Sequence, residues 1–286
     1  MESSNVPIPT DIHELLEARH LVYVKTLKRP QSTGFNWVLL VQFEASLFAL
    51  KFSKHSLAAE RQVMKQVSHP QVVSILSSGK TKHFSYLLTE FYPRGDLGSF
   101  VEDSALLSEN QAAKWFADLL LPVAYLHRQE VAHLDLKPEN VVITDDNRLS
   151  LIDFGHARVG ADAAQVRSKW NGSRKLNSPE RFQPGAFDGF KADVYSLGVL
   201  LFFLLTKTYP FTEATPACSM FRKYVDDPRD FCKYLQRLSQ ELFGGVQPQW
   251  SDALVNLLTG MLEPDPCMRM NIEEVQRHPW FGSTTD

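Results

Sequence analysis

Cysteine is scarce, with three residues in 286, and Cys218, Cys232 and Cys267 stand far apart. No C-x-x-C pair exists to clamp zinc or set a redox couple, so reduced thiols inside a cell are expected. An excess of one charge is missing too. Lys and Arg number 30 against 33 Asp and Glu, a formal net charge of −3, which argues against nucleic acid or an acidic membrane as the main partner. No apolar run reaches the ~20 residues of a bilayer span. The longest, Leu197 to Leu205, lies between Asp193 and Lys207 and reads as a buried core helix. The opening MESSNVPIPT is polar with two prolines, unlike a secretory or transit signal. Repeats and low-complexity tracts are also absent. What remains is 44% hydrophobic and 22% charged, enough for one two-lobed domain or two small ones.

From about His20 to Glu90 the chain reads as short strands with one helix. LVYVKTL, WVLLVQF, SLFALKF and SYLLTEF are rich in Val, Leu, Phe and Tyr between polar breaks, as in an antiparallel sheet. LAAERQVMKQV carries Leu57, Met64 and Val67 at helical spacing. Beyond residue 92 helices dominate. Ser108 and Gln111 form a capping-box start to a long amphipathic helix, which Pro122 is expected to kink. Three later segments, starting near Phe190, Met220 and Ser251, are also mainly helical. The expected class is α+β, a small β-rich lobe before a larger helical one.

The polar residues then fall into ordered motifs. HLDLKPEN spans 133–140, LIDFG follows with Asp153 eighteen residues after Asp135, SPE ends at Glu180, and FALK occupies 48–51. His133, Asp135 and Asn140 match H-R-D-x-x-x-x-N, Asp153 to Gly155 match D-F-G, and Ser178 to Glu180 match A-P-E with one substitution. In this order and spacing the chain resembles the eukaryotic protein kinases over residues 20–281, and its closing RHPWF is similar to the end of calmodulin-dependent-type catalytic domains. The resemblance implies a bilobal fold, with residues 1–19 as an N-terminal extension, an N-lobe over 20–90 and a C-lobe over 91–281.

It also implies roles. Asp135 would accept the proton of the attacking hydroxyl, Asn140 and Asp153 would ligate Mg²⁺ or Mn²⁺, and Lys51 would hold the α and β phosphates of ATP. Glu60, ten residues before Pro70 on the predicted helix, would pair with Lys51; only nine positions separate the two, so that helix is expected to have lost its first turns. Lys137 stands where Ser/Thr kinases keep a lysine beside the γ-phosphate, which makes a protein Ser or Thr the expected acceptor. For the purine, Leu27, Ala49 and Val142 would sandwich adenine, ordinary core packing being the rival reading. Thr89 would be the gatekeeper, Glu90 and Tyr92 would meet adenine through backbone groups, and Asp96 would lie near the ribose. Glu139 and Asp96 could favour basic residues upstream of the acceptor, or be solvated surface acids. Asp193 looks like the anchor of the catalytic loop, and Arg269 would pair with Glu180.

Two departures stand out. In QSTGFNWV, Gln31, Thr33 and Asn36 fill the three positions of the glycine-rich loop, where glycine lets the backbone approach phosphate. Leu134 replaces the arginine between His133 and Asp135, so the expected enzyme is active without a phosphate on its activation segment. Ser173 aligns with the hydroxyl that bonds the catalytic aspartate, and Ser168 is the other candidate hydroxyl. The alternative to an active Ser/Thr kinase is a pseudokinase, a nucleotide-binding scaffold that works through its surface.

Overall fold

The computed structural model describes residues 7–29, 36–167, 173–244 and 249–282. Residues up to Ser68 and Val73–Pro93 form one compact unit; His69–Val72 and everything from Arg94 onward form a second. The expected glycine-loop positions Gln31 and Thr33, and Ser168, lie outside the described residues.

In the first unit, α1 (Thr10–Ala18) precedes β1 (Val22–Lys28), β2 (Asn36–Phe43) and β3 (Ser46–Ser53). Then come α2 (Ala58–Gln66), β4 (Ile75–Lys80) and β5 (Ser85–Glu90). The strands pair antiparallel in the order β1-β2-β3-β5-β4. Alternation sends Leu39 and Val41 of β2, Leu50 and Phe52 of β3 and Tyr86 of β5 into one core. Ile12 and Leu16 of α1 close it. Each such side chain contributes roughly 1.5–3 kcal/mol when buried, so α1 is packed against the sheet. Asp11 adds polar ties, accepting from Thr81 Oγ1 at 2.6 Å and His83 N at 3.1 Å.

β4 was not anticipated from the sequence, because ILSSGK alternates no large apolar residues. Gly79 explains its fit. A Cβ there would meet the Tyr86 ring at 2.8–2.9 Å, so only glycine allows the ring of β5 to lie over the strand.

The second unit holds α3 (Leu97–Asp103), α4 (Glu109–Arg128), β6 (Val131–Ala132), β7 (Val141–Ile143), β8 (Leu149–Leu151) and β9 (Arg158–Val159). After them run α5 (Ala161–Ala164), α6 (Gly189–Thr206), α7 (Ser219–Asp226), α8 (Pro228–Phe243), α9 (Asp252–Met261) and α10 (Ile272–Gln276). β6 pairs with β9 and β7 with β8, both antiparallel. α6 is long and apolar enough to cross a membrane, but 89% of it is buried in the protein. The expected helix around Asp227 divides into α7 and α8, since Asp227 caps α8 through Asp230 N at 3.0 Å and Pro228 suits a first helical position.

α4 starts with the expected capping box of Ser108 and Gln111. It continues through Pro122, which has no N–H for the carbonyl of Asp118. Gln71 fills the gap: its Nε2 donates to Asp118 O at 3.2 Å and to Leu149 O at 2.8 Å. Val72, beside it, bridges parallel to Leu151. Gln71→Ala is expected to cost about 2 kcal/mol by orphaning two carbonyls. In a Pro122→Ala background the new N–H satisfies Asp118, so the same substitution should cost about half as much. Equal losses in both backgrounds, read by urea unfolding, would dismiss this account of Pro122.

Candidate active site

The expected residues divide between the two units. In the first, strand alternation turns Ala49 and Lys51 of β3 away from the face that carries Leu50 and Phe52. Lys51 Nζ donates to both carboxylate oxygens of Glu60, at 2.8 and 2.9 Å, and both side chains are largely buried. Glu60 lies in the first turn of α2, where an acid is favoured by the helix dipole. α2 has only nine residues, in keeping with the short spacing from Lys51 to Glu60. A buried pair of this kind contributes little net stability, because desolvation offsets the attraction; its effect is to fix the ammonium in place.

Ala49 and Thr89 face each other in register between β3 and β5, with Thr89 Oγ1 3.5 Å from Ala49 O. Tyr92 Oη donates to Glu90 Oε2 at 3.1 Å. Leu27 is exposed, at an irregularity of the β1–β2 ladder between Thr26 and Lys28. In the second unit, Val142 is buried and bridges Asp96. The Asp96 carboxylate caps α3, accepting from Ser99 N at 2.9 Å and Ser99 Oγ at 3.1 Å.

The loop after β6 is built around one buried carboxylate. Asp193 of α6, 1% exposed, accepts from His133 N at 2.7 Å and Leu134 N at 2.8 Å, and His127 Nε2 lies 3.1 Å away. These bonds hold Leu134 at φ 63°, a left-handed conformation that costs an L-residue roughly 1–2 kcal/mol. The Leu134 side chain offsets that cost. It is buried in an apolar cluster with Ala132, Ala163, Val166, Phe187 and Ala192, worth roughly 1.5–3 kcal/mol. His133 Nδ1 accepts from Asp135 N at 3.3 Å, so the ring carries its hydrogen on Nε2 and donates to Ile152 O at 3.1 Å. Ile152 N in turn donates to Asn140 O at 3.0 Å. The Asp153 segment is thereby tied to the loop, with Phe154 buried against the His133 ring at 5.0 Å.

Asp135 stands at the centre. Its Oδ2 accepts from Lys137 Nζ at 2.7 Å and Asn140 Nδ2 at 2.8 Å, and Asn140 Nδ2 also reaches Asp135 O at 2.8 Å. Both amide hydrogens of Asn140 are used, which leaves its Oδ1 as an acceptor. Asp153 follows at φ 61°, its Oδ1 3.4 Å from Gly155 N. Ser173 does not bond Asp135 as its alignment suggested; it opens the short turn Arg174–Leu176, and Asp135 Oδ2 already has two donors.

Arg269 is fully buried and grips Glu180 through Nη1 at 2.7 Å and Nη2 at 2.9 Å, as expected. Sequence reasoning missed Arg181, whose Nη1 donates to Leu134 O at 3.3 Å. A single cation after a motif carries no periodic signal, and by composition it reads as a surface residue.

The family model described as protein kinase domain matches residues 46–281, beginning at β3. A probable serine/threonine-protein kinase of Dictyostelium discoideum is 28% identical over 88% of the chain, which spans 28% of that relative. The hormonally up-regulated neu tumor-associated kinase of Mus musculus is 32% identical over 79% of the chain, covering 30% of its own length. For the serine/threonine-protein kinase chk1 of Schizosaccharomyces pombe the identity is 29%, over 84% of the chain and 49% of the relative. The chain thus spans half or less of the length of these relatives. With the family model covering most of its residues, the chain belongs to the protein kinase family.

Proposed function

We propose that the chain is an ATP-dependent serine/threonine protein kinase that moves the γ-phosphate of ATP to a Ser or Thr hydroxyl of a protein. The observation that carries this reading is the Asp135 carboxylate, fixed on Oδ2 by Lys137 and Asn140. Its Oδ1 takes no bond from a described residue and is left to accept the proton of the acceptor hydroxyl. Lys137 keeps a positive charge beside the group that receives negative charge during transfer. In the first unit, the Lys51 ammonium held by Glu60 is the phosphate-binding cation, and the backbone at Glu90 and Tyr92 meets adenine.

The donor set fits a divalent metal. Asn140 Oδ1 and the Asp153 carboxylate are hard oxygen ligands, and Mg²⁺ takes one or two such groups beside phosphates and water. Among the described residues no cluster of three His, Cys, Asp or Glu is placed to hold a metal alone, which suits a shell completed by the nucleotide. When bound, Mg²⁺ or Mn²⁺ neutralises the charge on the phosphates.

Three free thiols support an intracellular setting. Glu139, exposed beside the loop, is the candidate for recognising basic residues upstream of the acceptor. The test is transfer from γ-labelled ATP to an array of Ser, Thr and Tyr peptides with Mg²⁺ or Mn²⁺. Label on Ser or Thr is expected; ATP binding with no transfer to any peptide would establish the scaffold reading instead, which the glycine-poor loop favours.

The apolar cluster around Leu134 supports activity without activation-segment phosphorylation. Ala163, Val166 and Phe187 come from the segment between Asp153 and α6, and Val166 pairs with Phe187 through both backbone bonds, at 2.8 and 3.1 Å. Apolar burial then orders what an arginine–phosphate pair would otherwise order. Phosphatase-treated protein, confirmed unmodified by mass spectrometry, is expected to retain its rate, as is Ser168→Ala. A collapse of activity on dephosphorylation that Ser168→Ala reproduces would sink this.

A further inference from the structure

The catalytic loop lacks a cation at position 134, yet a guanidinium reaches it from elsewhere. Arg181 lies in the turn Pro179–Phe182, directly after Glu180. Its Nη1 donates to the Leu134 carbonyl at 3.3 Å, its Cζ sits 5.6 Å from the centre of the Phe187 ring, and its Nε is sealed from solvent. Burial pulls its pKa down to about 10, while the charges of Asp193, Asp135 and Glu180 act in the opposite direction. The group therefore stays a cation at neutral pH.

Its hydrogen bond to the loop falls on one peptide plane. The Leu134 carbonyl belongs to the peptide that ends at the nitrogen of Asp135, and that N–H is taken by His133 Nδ1. The preceding peptide is taken by Asp193 at Leu134 N. One carbonyl is left to settle the orientation of the Asp135 backbone, and Arg181 is its donor.

We propose that Arg181 is a positioning residue that brings a guanidinium to the catalytic loop from a different segment, and that it holds the peptide carrying Asp135 in the orientation for catalysis. The cation is built in by sequence and needs no phosphate to be drawn into place. Its kinetic consequence rests on the kinase reading above; its consequence for packing does not.

The experiment compares the wild-type chain with Arg181→Lys, Arg181→Met, Leu134→Arg and the double variant Leu134→Arg/Arg181→Met, by thermal unfolding and by steady-state transfer to the best peptide of the array. Arg181→Met is expected to lower kcat about tenfold or more through misplacement of Asp135, with KM for ATP within about twofold because no nucleotide contact is removed. Arg181→Lys should regain part of kcat, since it keeps the charge. Leu134→Arg alone brings a second guanidinium into the apolar cluster whose Phe187 ring Arg181 already covers, and should unfold at a lower temperature than the double variant. Unchanged kcat in Arg181→Met overturns the role, and so do unfolding losses that simply add in the double variant. If the wild-type chain transfers no phosphate, the kinase reading falls, and the unfolding comparison alone decides whether positions 134 and 181 share one site.

Discussion

Asp153→Asn is expected to lower phosphoryl transfer by about three orders of magnitude while leaving the unfolding temperature almost unchanged. Loss of a charged metal ligand removes several kcal/mol of transition-state stabilisation, and each ~1.36 kcal/mol is tenfold in rate. Asparagine is the informative substitution because Asp153 has φ 61°. Asn tolerates the left-handed region, whereas Ala would add strain of roughly 1–2 kcal/mol and confuse a chemical loss with a structural one. Its amide oxygen can also keep the contact that Oδ1 makes with Gly155 N at 3.4 Å. The measurements are initial rates from γ-labelled ATP and thermal melting by circular dichroism. Turnover equal to wild type would remove Asp153 from the mechanism, and the kinase reading with it; a lowered melting temperature would show that Asp153 supports the fold.

Much of this arrangement was legible in the chain because its parts are local. His133, Asp135, Lys137 and Asn140 lie within eight residues, so the spacing that identifies them also brings them together, and the bonds among them follow from one short loop. Lys51 and Glu60 were legible for a related reason: a strand and the next helix place them, and the pair forms at 2.8 Å. What escaped notice depends on contacts between distant segments. Gln71 answers a proline fifty-one residues later, and α1 is recognisable as part of the sheet only once Ile12 and Leu16 meet Phe52 and Tyr86. Ser173 errs the other way, since the motif supplied it with Asp135 as a partner, whereas in the folded chain it opens the turn Arg174–Leu176. Leu134 shows how burial decides the meaning of a substitution. An arginine there would carry a desolvation cost of several kcal/mol until paired, whereas leucine gains by packing against Val166 and Phe187.

Arg269→Met is expected to produce the largest loss of stability, about 3–5 kcal/mol, because it leaves the Glu180 carboxylate without its partner in a largely buried site. Arg269 makes more bonds than any ion pair needs. Besides Glu180 it donates to Glu263 O at 2.8 Å, Lys191 O at 2.9 Å and Pro264 O at 3.2 Å, and its Cζ lies 5.0 Å from the Tyr195 ring. One guanidinium thus joins the end of the Glu180 motif, the first turn of α6 and the turn after α9, all inside the second unit. Glu180→Gln should cost less, since the amide oxygen still accepts from Arg269 and the three backbone carbonyls keep their donor. In Glu180→Gln/Arg269→Met the stranded charge is gone, so the double variant should be no less stable than Arg269→Met alone. Thermal unfolding of the three proteins reads these differences directly, at a few degrees per kcal/mol for a unit of this size. If Arg269→Met costs less than about 1 kcal/mol, as an exposed pair would, the buried network is not what joins these segments.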